Sequence, residues 1–126
     1  MKRHGSGGRH ALARWPLLVA GLAFAGAAIA HVFPQKQEPG AGATVASPAQ
    51  VKITFDGPLE PSFTSLTVTD GAGKQVNTAK ATVDAHQPTV ISVPLPPLPA
   101  GHYIVHWVAV ASDGHRTHGD YAFDVK

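Results

Sequence analysis

The sequence predicts an all-β domain, a two-sheet antiparallel sandwich or barrel with Greek-key connections and about seven strands. Apolar and polar residues alternate in several short segments, as they do in strands that have one buried face. The chain also contains 11 prolines and 13 glycines, which recur every few residues and exclude long helices. Short strands separated by turns, within fewer than a hundred residues, are typical of a sandwich.

The predicted strands follow one another between turn signals. The segment VKITF (51–55) alternates apolar and polar residues, and SLTVTD (65–70) repeats the pattern. The segment DGAGK (70–74) that follows is a turn signal, because glycine tolerates positive φ. Three shorter candidates come later in the chain: ATVDA, TVISV and YAFDVK.

The segment HYIVHWVAV (102–110) predicts the strongest strand. It is apolar on both faces apart from its histidines, which is typical of an interior strand. We expect Trp107 to be buried, because it shares a strand face with Tyr103 and Val105. The prolines of the preceding PLPPLPAG segment lack amide donors, so we expect neither strand nor helix there but a rigid crossover.

The first thirty residues resemble a secretory signal peptide. Four basic residues precede an uncharged run from Trp15 to Ala30, and the run ends in the small-residue pattern Ala-Ile-Ala. It is short for a membrane span. We therefore expect cleavage after Ala30, a domain from 31 to 126, and a mature protein that is periplasmic or extracellular.

Removal of this segment changes the charge of the protein. Residues 31–126 contain six basic and eight acidic residues, which gives a net charge of −2 instead of +2. Nucleic-acid binding requires a clustered basic face. We therefore expect no DNA or other nucleic-acid partner.

The residues available as metal ligands are nitrogen and oxygen donors. The chain has no cysteine, and its single methionine is Met1. Cleavage would leave six histidines: His31, His86, His102, His106, His115 and His118. Soft sulfur ligands, which Cu(I), Fe–S clusters and cysteine-type zinc sites use, are therefore absent from 31–126.

Two sequence features point to a metal site. Asp113 and His115 are separated by one glycine, and residues two apart in extended backbone point the same way. His31 would be the first mature residue, so its ring and its free α-amine would form a chelating pair. Together these groups make an N₃O set, which suits Cu(II). Taken alone, the Asp-x-His spacing is more typical of a solvated turn in which the carboxylate caps backbone amides.

The remaining histidines are not predicted to join one site. His102 and His106 lie on one strand face but about 13 Å apart, so they cannot share an ion. His86 belongs to a loop beside Gln87 and Pro88. His118 is three residues from His115, so the direction of its side chain relative to the site is open.

The chain from 31 onward resembles the CopC family of periplasmic copper-binding proteins. The resemblance covers essentially the whole of 31–126 and rests on four parts: a mature N-terminal histidine, the entry P-x-x-G-x-x-V-x-x-x-P, the strand L-x-x-G-x-Y-x-V-x-W, and S-x-D-G-H-x-x-x-G-x-Y-x-F-x-V.

The resemblance implies a cupredoxin-like Greek-key barrel or sandwich that binds Cu(II). Its ligands would be the amine and ring of His31, with Asp113 and His115. Some members also hold Cu(I) in a methionine-rich loop, which this chain lacks. Some place a glutamate near the site, where this chain has Gly57, with Asp56 and Glu60 nearby.

We therefore expect a monomeric, non-enzymatic protein for copper resistance, storage or delivery, with a membrane copper transporter of the CopD type as one partner. A histidine-brace copper oxidase is a second hypothesis, but Asp113 would fill a position that an oxygen-activating centre leaves open. The third is an immunoglobulin-like interaction domain whose histidines are incidental.

Overall fold

A computed structural model describes residues 31–126, together with Gly5 and Pro16. Its eight strands are β1 (Pro34–Glu38), β2 (Thr44–Val45), β3 (Gln50–Phe55), β4 (Ser65–Asp70), β5 (Thr82–Val83), β6 (Val90–Pro94), β7 (Gly101–Val110) and β8 (Arg116–Val125). The described part of the chain contains no helix, and so no helix there is long and apolar enough to cross a membrane.

The strands form two four-stranded sheets, in the orders β1-β3-β6-β5 and β2-β8-β7-β4. The chain passes between the sheets from β3 to β4, back to β5, and again from β6 to β7, which confirms the predicted sandwich. One detail differs from the prediction, because β2 pairs with β8 in parallel. All the other strand pairs are antiparallel.

The core lies between the two sheets. On β7 the inward side chains Tyr103, Val105 and Trp107 are buried, which confirms the expected position of Trp107. They meet inward residues of the other sheet, since the Phe55 and Trp107 rings pack edge to face with centroids 5.3 Å apart. This packing is the source of stability, because the chain has no cysteine to form a disulfide.

The structure confirms most predicted strands and adds two. Residues 51–55, 65–70 and 102–110 lie in β3, β4 and β7. Of the PLPPLPAG segment, residues 95–100 are neither helix nor strand, whereas Pro94 ends β6 and Gly101 begins β7. The candidate ATVDA contributes only the two residues of β5. YAFDVK is the end of a longer strand that already begins at Arg116. The short strands β1 and β2 were not predicted.

One end of the sandwich brings distant segments together. The hairpin between β7 and β8 turns there through residues 111–115, just beyond the pair Val110–Arg116. Residues 31–33 precede β1 at the same end, where Pro34 pairs with Phe55. The two sequence segments that were predicted to bind metal therefore lie side by side.

Candidate metal centre

The rings of His31 and His115 lie against each other. Their centroids are 5.7 Å apart, with an interplanar angle of 62°. His31 is exposed, and the side chain of His115 is 46% exposed. Two imidazoles that are 84 residues apart in sequence are thus within reach of one small ion at the protein surface.

A tight turn brings Asp113 to His115. The amide of Gly114 donates to the Ala111 carbonyl over 2.9 Å, and the amide of Ala111 donates to the His115 carbonyl over 2.8 Å. Gly114 has φ of 91°, a left-handed conformation in which an L side chain is strained. The two side chains do converge, as was predicted. The cause is this turn, and not the extended backbone that the prediction assumed.

The Asp113 carboxylate contacts His115 through both oxygens. Oδ1 accepts a hydrogen bond from the His115 amide over 3.0 Å, and Oδ2 lies 2.9 Å from Nδ1 of the His115 ring. The first contact is the backbone cap that a simple turn would also have. The second orients the imidazole, as carboxylates do in histidine metal sites.

Within the residues that the structure describes, no three His, Cys, Asp or Glu side chains are arranged as a preformed metal cluster. The carboxylate and the His115 ring are bonded to each other instead of facing a shared point. In the uncleaved chain the backbone nitrogen of His31 belongs to a peptide bond, so this nitrogen is not a ligand. The donors nevertheless suit copper, since they are imidazole and carboxylate groups without sulfur.

The segment that carries His31 is anchored on both sides of the sandwich. The Thr117 hydroxyl on β8 donates to the Val32 carbonyl over 2.7 Å. The Phe33 amide donates to Asp56 Oδ1 over 2.9 Å, and the Asp56 amide donates to the Phe33 carbonyl over 3.0 Å. Between these bonds the Val32 side chain is buried in the core.

These contacts define the role of the residues after β3. The Asp56 carboxylate is bound to backbone, and Gly57 lies against Val32, because a Cβ on Gly57 would be 3.1 Å from Val32 Cγ1. The backbone amide of Glu60 donates to the Val110 carbonyl over 2.8 Å. No local pattern in the sequence predicts the contacts of Thr117 and Asp56, since they join segments far apart in the chain.

Two of the other histidines have carboxylate partners on the outer face of the β7–β8 ladder. His102 Nδ1 lies 2.7 Å from Asp124 Oδ1. His106 Nδ1 lies 2.6 Å from Asp120 Oδ1, and its Nε2 lies 2.9 Å from the Thr69 hydroxyl. These pairs hold neighbouring strands together.

The ring contact at the candidate centre is between His31 and His115, and His118 and His86 occupy other positions. His118 lies on β8, where it pairs with Val108 of β7. Because side chains alternate along a strand, the His118 side chain is on the face opposite that of Thr117. His86 is exposed in a loop, where its amide donates to Asp84 Oδ1 over 2.8 Å. The proposed signal peptide and cleavage site fall within residues 1–30, outside the described residues except for Gly5 and Pro16.

Comparison with known proteins identifies the family. The model of the CopC domain matches residues 35–126. Copper resistance protein C of Escherichia coli is 36% identical over 116 residues, which cover 86% of this chain and 90% of that protein. The copper transport protein CutJ of Bacillus subtilis is 32% identical over 88% of this chain, which spans only 21% of CutJ.

A solved structure agrees with both sequence matches. The crystal structure of CopC from Methylosinus trichosporium OB3b superimposes with a TM-score of 0.72 and 36% identity, and the match covers 76% of this chain and 94% of that one. This chain belongs to the CopC family.

Proposed function

We propose that this protein binds one Cu(II) ion through His31, Asp113 and His115 after export and cleavage behind Ala30. The observation that carries the proposal is the contact between the His31 and His115 rings, 5.7 Å apart, beside a carboxylate that orients one of them. Cleavage would add the α-amine of His31. The amine and the imidazole belong to the same residue and are joined only through Cα and Cβ, so both can bind one ion as a chelate.

The donor set accounts for the choice of metal. Amine, two imidazoles and a carboxylate provide three nitrogens and one oxygen, which suit the tetragonal geometry of Cu(II). Copper also stands at the top of the divalent affinity order. To bind the ion, the Asp113–His115 hydrogen bond would be replaced by bonds to the metal. The half-exposed positions of both side chains allow that exchange.

We propose a role in copper resistance, storage or delivery in the periplasm. The names of the relatives, a copper resistance protein and a copper transport protein, support this role. CutJ, named a copper transport protein, combines a region similar to this chain with a much longer remainder. We propose a membrane copper transporter, such as one of the CopD type, as the partner. A monomeric state stays a prediction.

The first test moves only the amine. The full chain, with one extra alanine between Ala30 and His31, is exported, and the purified product is checked for its N-terminus by mass spectrometry. Every side chain is kept, but the ring of His31 loses its adjacent amine. We expect Cu(II) to bind at least a hundredfold more weakly, with an altered electron paramagnetic resonance spectrum.

The matched control is His86→Ala, which removes an exposed loop histidine that is not a proposed ligand and should leave affinity unchanged. Equal affinity of the insertion variant and the parent would mean that the amine is not a ligand. A parent protein that binds no Cu(II) would favour the immunoglobulin-like interaction domain. Oxygen consumption by the copper-loaded protein with a reductant would favour the oxidase.

A further inference from the structure

We infer that Val32, Asp56 and Thr117, none of which is a proposed ligand, form a clasp that positions His31 and so determine how tightly the site binds Cu(II). This inference rests on the proposed function and names positioning residues for it. The clasp consists of the Thr117–Val32 hydrogen bond, the Phe33–Asp56 pair of hydrogen bonds and the buried Val32 side chain.

The need for a clasp follows from where the strands end. The first ladder pair of β1 is Pro34 with Phe55, and the register is irregular between Pro34 and Lys36. Residues 31–33 therefore precede the regular ladder. The first residues of a domain are poorly ordered unless other contacts hold them, and a disordered His31 would lose conformational entropy when it binds copper.

The clasp holds this segment to both sheets at once. Asp56 follows β3 in one sheet, and Thr117 belongs to β8 in the other. Thr117 is also two residues after His115, on the strand that begins directly after this proposed ligand. Its hydroxyl donates the hydrogen bond to Val32 that positions His31, the other proposed ligand. The separation of His31 and His115 is thus determined by the short path through Val32, the Val32–Thr117 hydrogen bond and Thr117.

Val32 adds an apolar anchor to these hydrogen bonds. Its side chain is 2% exposed and belongs to the main core, although its neighbours His31 and Phe33 are both exposed. The Gly57 position would place a Cβ 3.1 Å from Val32 Cγ1, so glycine leaves the space that Val32 occupies. Burial of Val32 directs the flanking His31 side chain outward, toward His115.

Preorganisation of this kind raises affinity because less order has to be created on binding. Without the clasp, the amine and ring of His31 would have to be ordered by the metal itself. We expect a loss of about tenfold in Cu(II) affinity for each hydrogen bond removed, which corresponds to about 1.4 kcal/mol.

The first experiment removes the hydroxyl donor. Thr117→Val keeps the β-branched shape, and Thr69→Val is the matched control, because its hydroxyl bonds His106 on another face. Both proteins are purified after export, and their fold is verified by circular dichroism. Competition with a Cu(II) chelator should show a loss of about tenfold for Thr117→Val and no loss for Thr69→Val.

The second experiment separates positioning from ligation at Asp56. Asp56→Asn keeps an oxygen that can accept the Phe33 amide, whereas Asp56→Ala does not. We expect Asn to retain the parental affinity and Ala to lose about tenfold. In the metal-free proteins the Phe33 amide should exchange with solvent slowly in the parent and in Asp56→Asn, and quickly in Asp56→Ala.

The outcomes distinguish the two proposals. If Thr117→Val and Asp56→Ala bind Cu(II) as the parent does, while the alanine insertion before His31 weakens binding, the clasp is wrong and the metal centre stands. A loss for Asp56→Asn equal to that for Asp56→Ala, with the Phe33 amide still protected, would make Asp56 a ligand and overturn its positioning role. A parent that binds no Cu(II) contradicts the proposed function itself.

Discussion

At the scale of single residues, the Tyr121 hydroxyl is a buried polar atom without compensation. It has no hydrogen-bond partner among the described residues, and burial raises the pKa of this phenol well above its usual value. A buried polar group that makes no hydrogen bond costs about 1–3 kcal/mol. We therefore expect Tyr121→Phe to increase the free energy of unfolding by about 1 kcal/mol, as measured by urea denaturation.

The matched control is Tyr103→Phe. The Tyr103 hydroxyl donates to the Pro99 carbonyl over 2.6 Å, so its removal should lower the free energy of unfolding by about 1 kcal/mol. The raised pKa of Tyr121 adds a second difference. Because the phenol ionises more easily in the unfolded state, the parent keeps its stability below the unfolded-state pKa of about 10 and loses it progressively as the pH rises toward the raised folded-state pKa. Tyr121→Phe has no phenol to ionise, so its advantage over the parent should grow at alkaline pH. If Tyr121→Phe were less stable than the parent, the Tyr121 hydroxyl would have a favourable interaction and the prediction would be wrong.

The ligand residues differ in how far the sequence predicts them. Asp113 and His115 are close in sequence, so a local turn brings them together, although their spacing was interpreted for extended backbone and the structure has a turn with the backbone cap. His31 reaches His115 through contacts of Val32 and Phe33 with Thr117 and Asp56. Those contacts join segments more than twenty residues apart, and no local pattern encodes them. Their existence depends on how the two sheets pack.

At the scale of the strands, β7 and β8 depend on a close contact across the ladder. Trp107 pairs with Gly119, and a Cβ on Gly119 would lie 2.6 Å from Cζ2 of the indole. That is too close for two carbon atoms, and the ring also packs against Phe55. Gly119→Ala should therefore destabilise the protein by about 1–3 kcal/mol through overpacking.

Urea denaturation followed by tryptophan fluorescence measures this effect. Gly71→Ala is the control, because the nearest atom to its Cβ would be 3.7 Å away, an ordinary contact. It should change the free energy of unfolding by less than about 0.5 kcal/mol. If Gly119→Ala also changed the free energy of unfolding by less than about 0.5 kcal/mol, the Trp107 indole could move to another conformation, and glycine would not be required at this β7–β8 contact.

The same comparison explains which strands the sequence predicts. β3, β4 and β7 bury alternate side chains, so the burial leaves a period-two pattern. β1 has the sequence PQKQE and buries none of its five residues, whereas the edge strand β4 does bury alternate side chains. β1 is held by backbone hydrogen bonds to β3, which any sequence can make, and so it leaves no apolar pattern to detect.

At the scale of the whole molecule, four of the six histidines in residues 31–126 form two groups by position. His102 and His106 have aspartate partners on the outer sheet face, where they link β7 to β8. His31 and His115 lie together at one end of the sandwich. The abundance of histidine in the sequence therefore does not by itself measure metal-binding capacity, because part of it has a role in the sheet.

The absence of sulfur from residues 31–126 leads to a prediction about oxidation state. The single methionine is Met1, and there is no cysteine, so Cu(I) would have no soft ligand, whereas Cu(II) would have nitrogen and oxygen donors. We expect competition with chelators specific for each oxidation state to show a strong preference for Cu(II). Comparably tight Cu(I) binding would reveal a histidine-only site, and loss of that binding in His102→Asn, His106→Asn or His118→Asn would locate it on the outer face of the sheet.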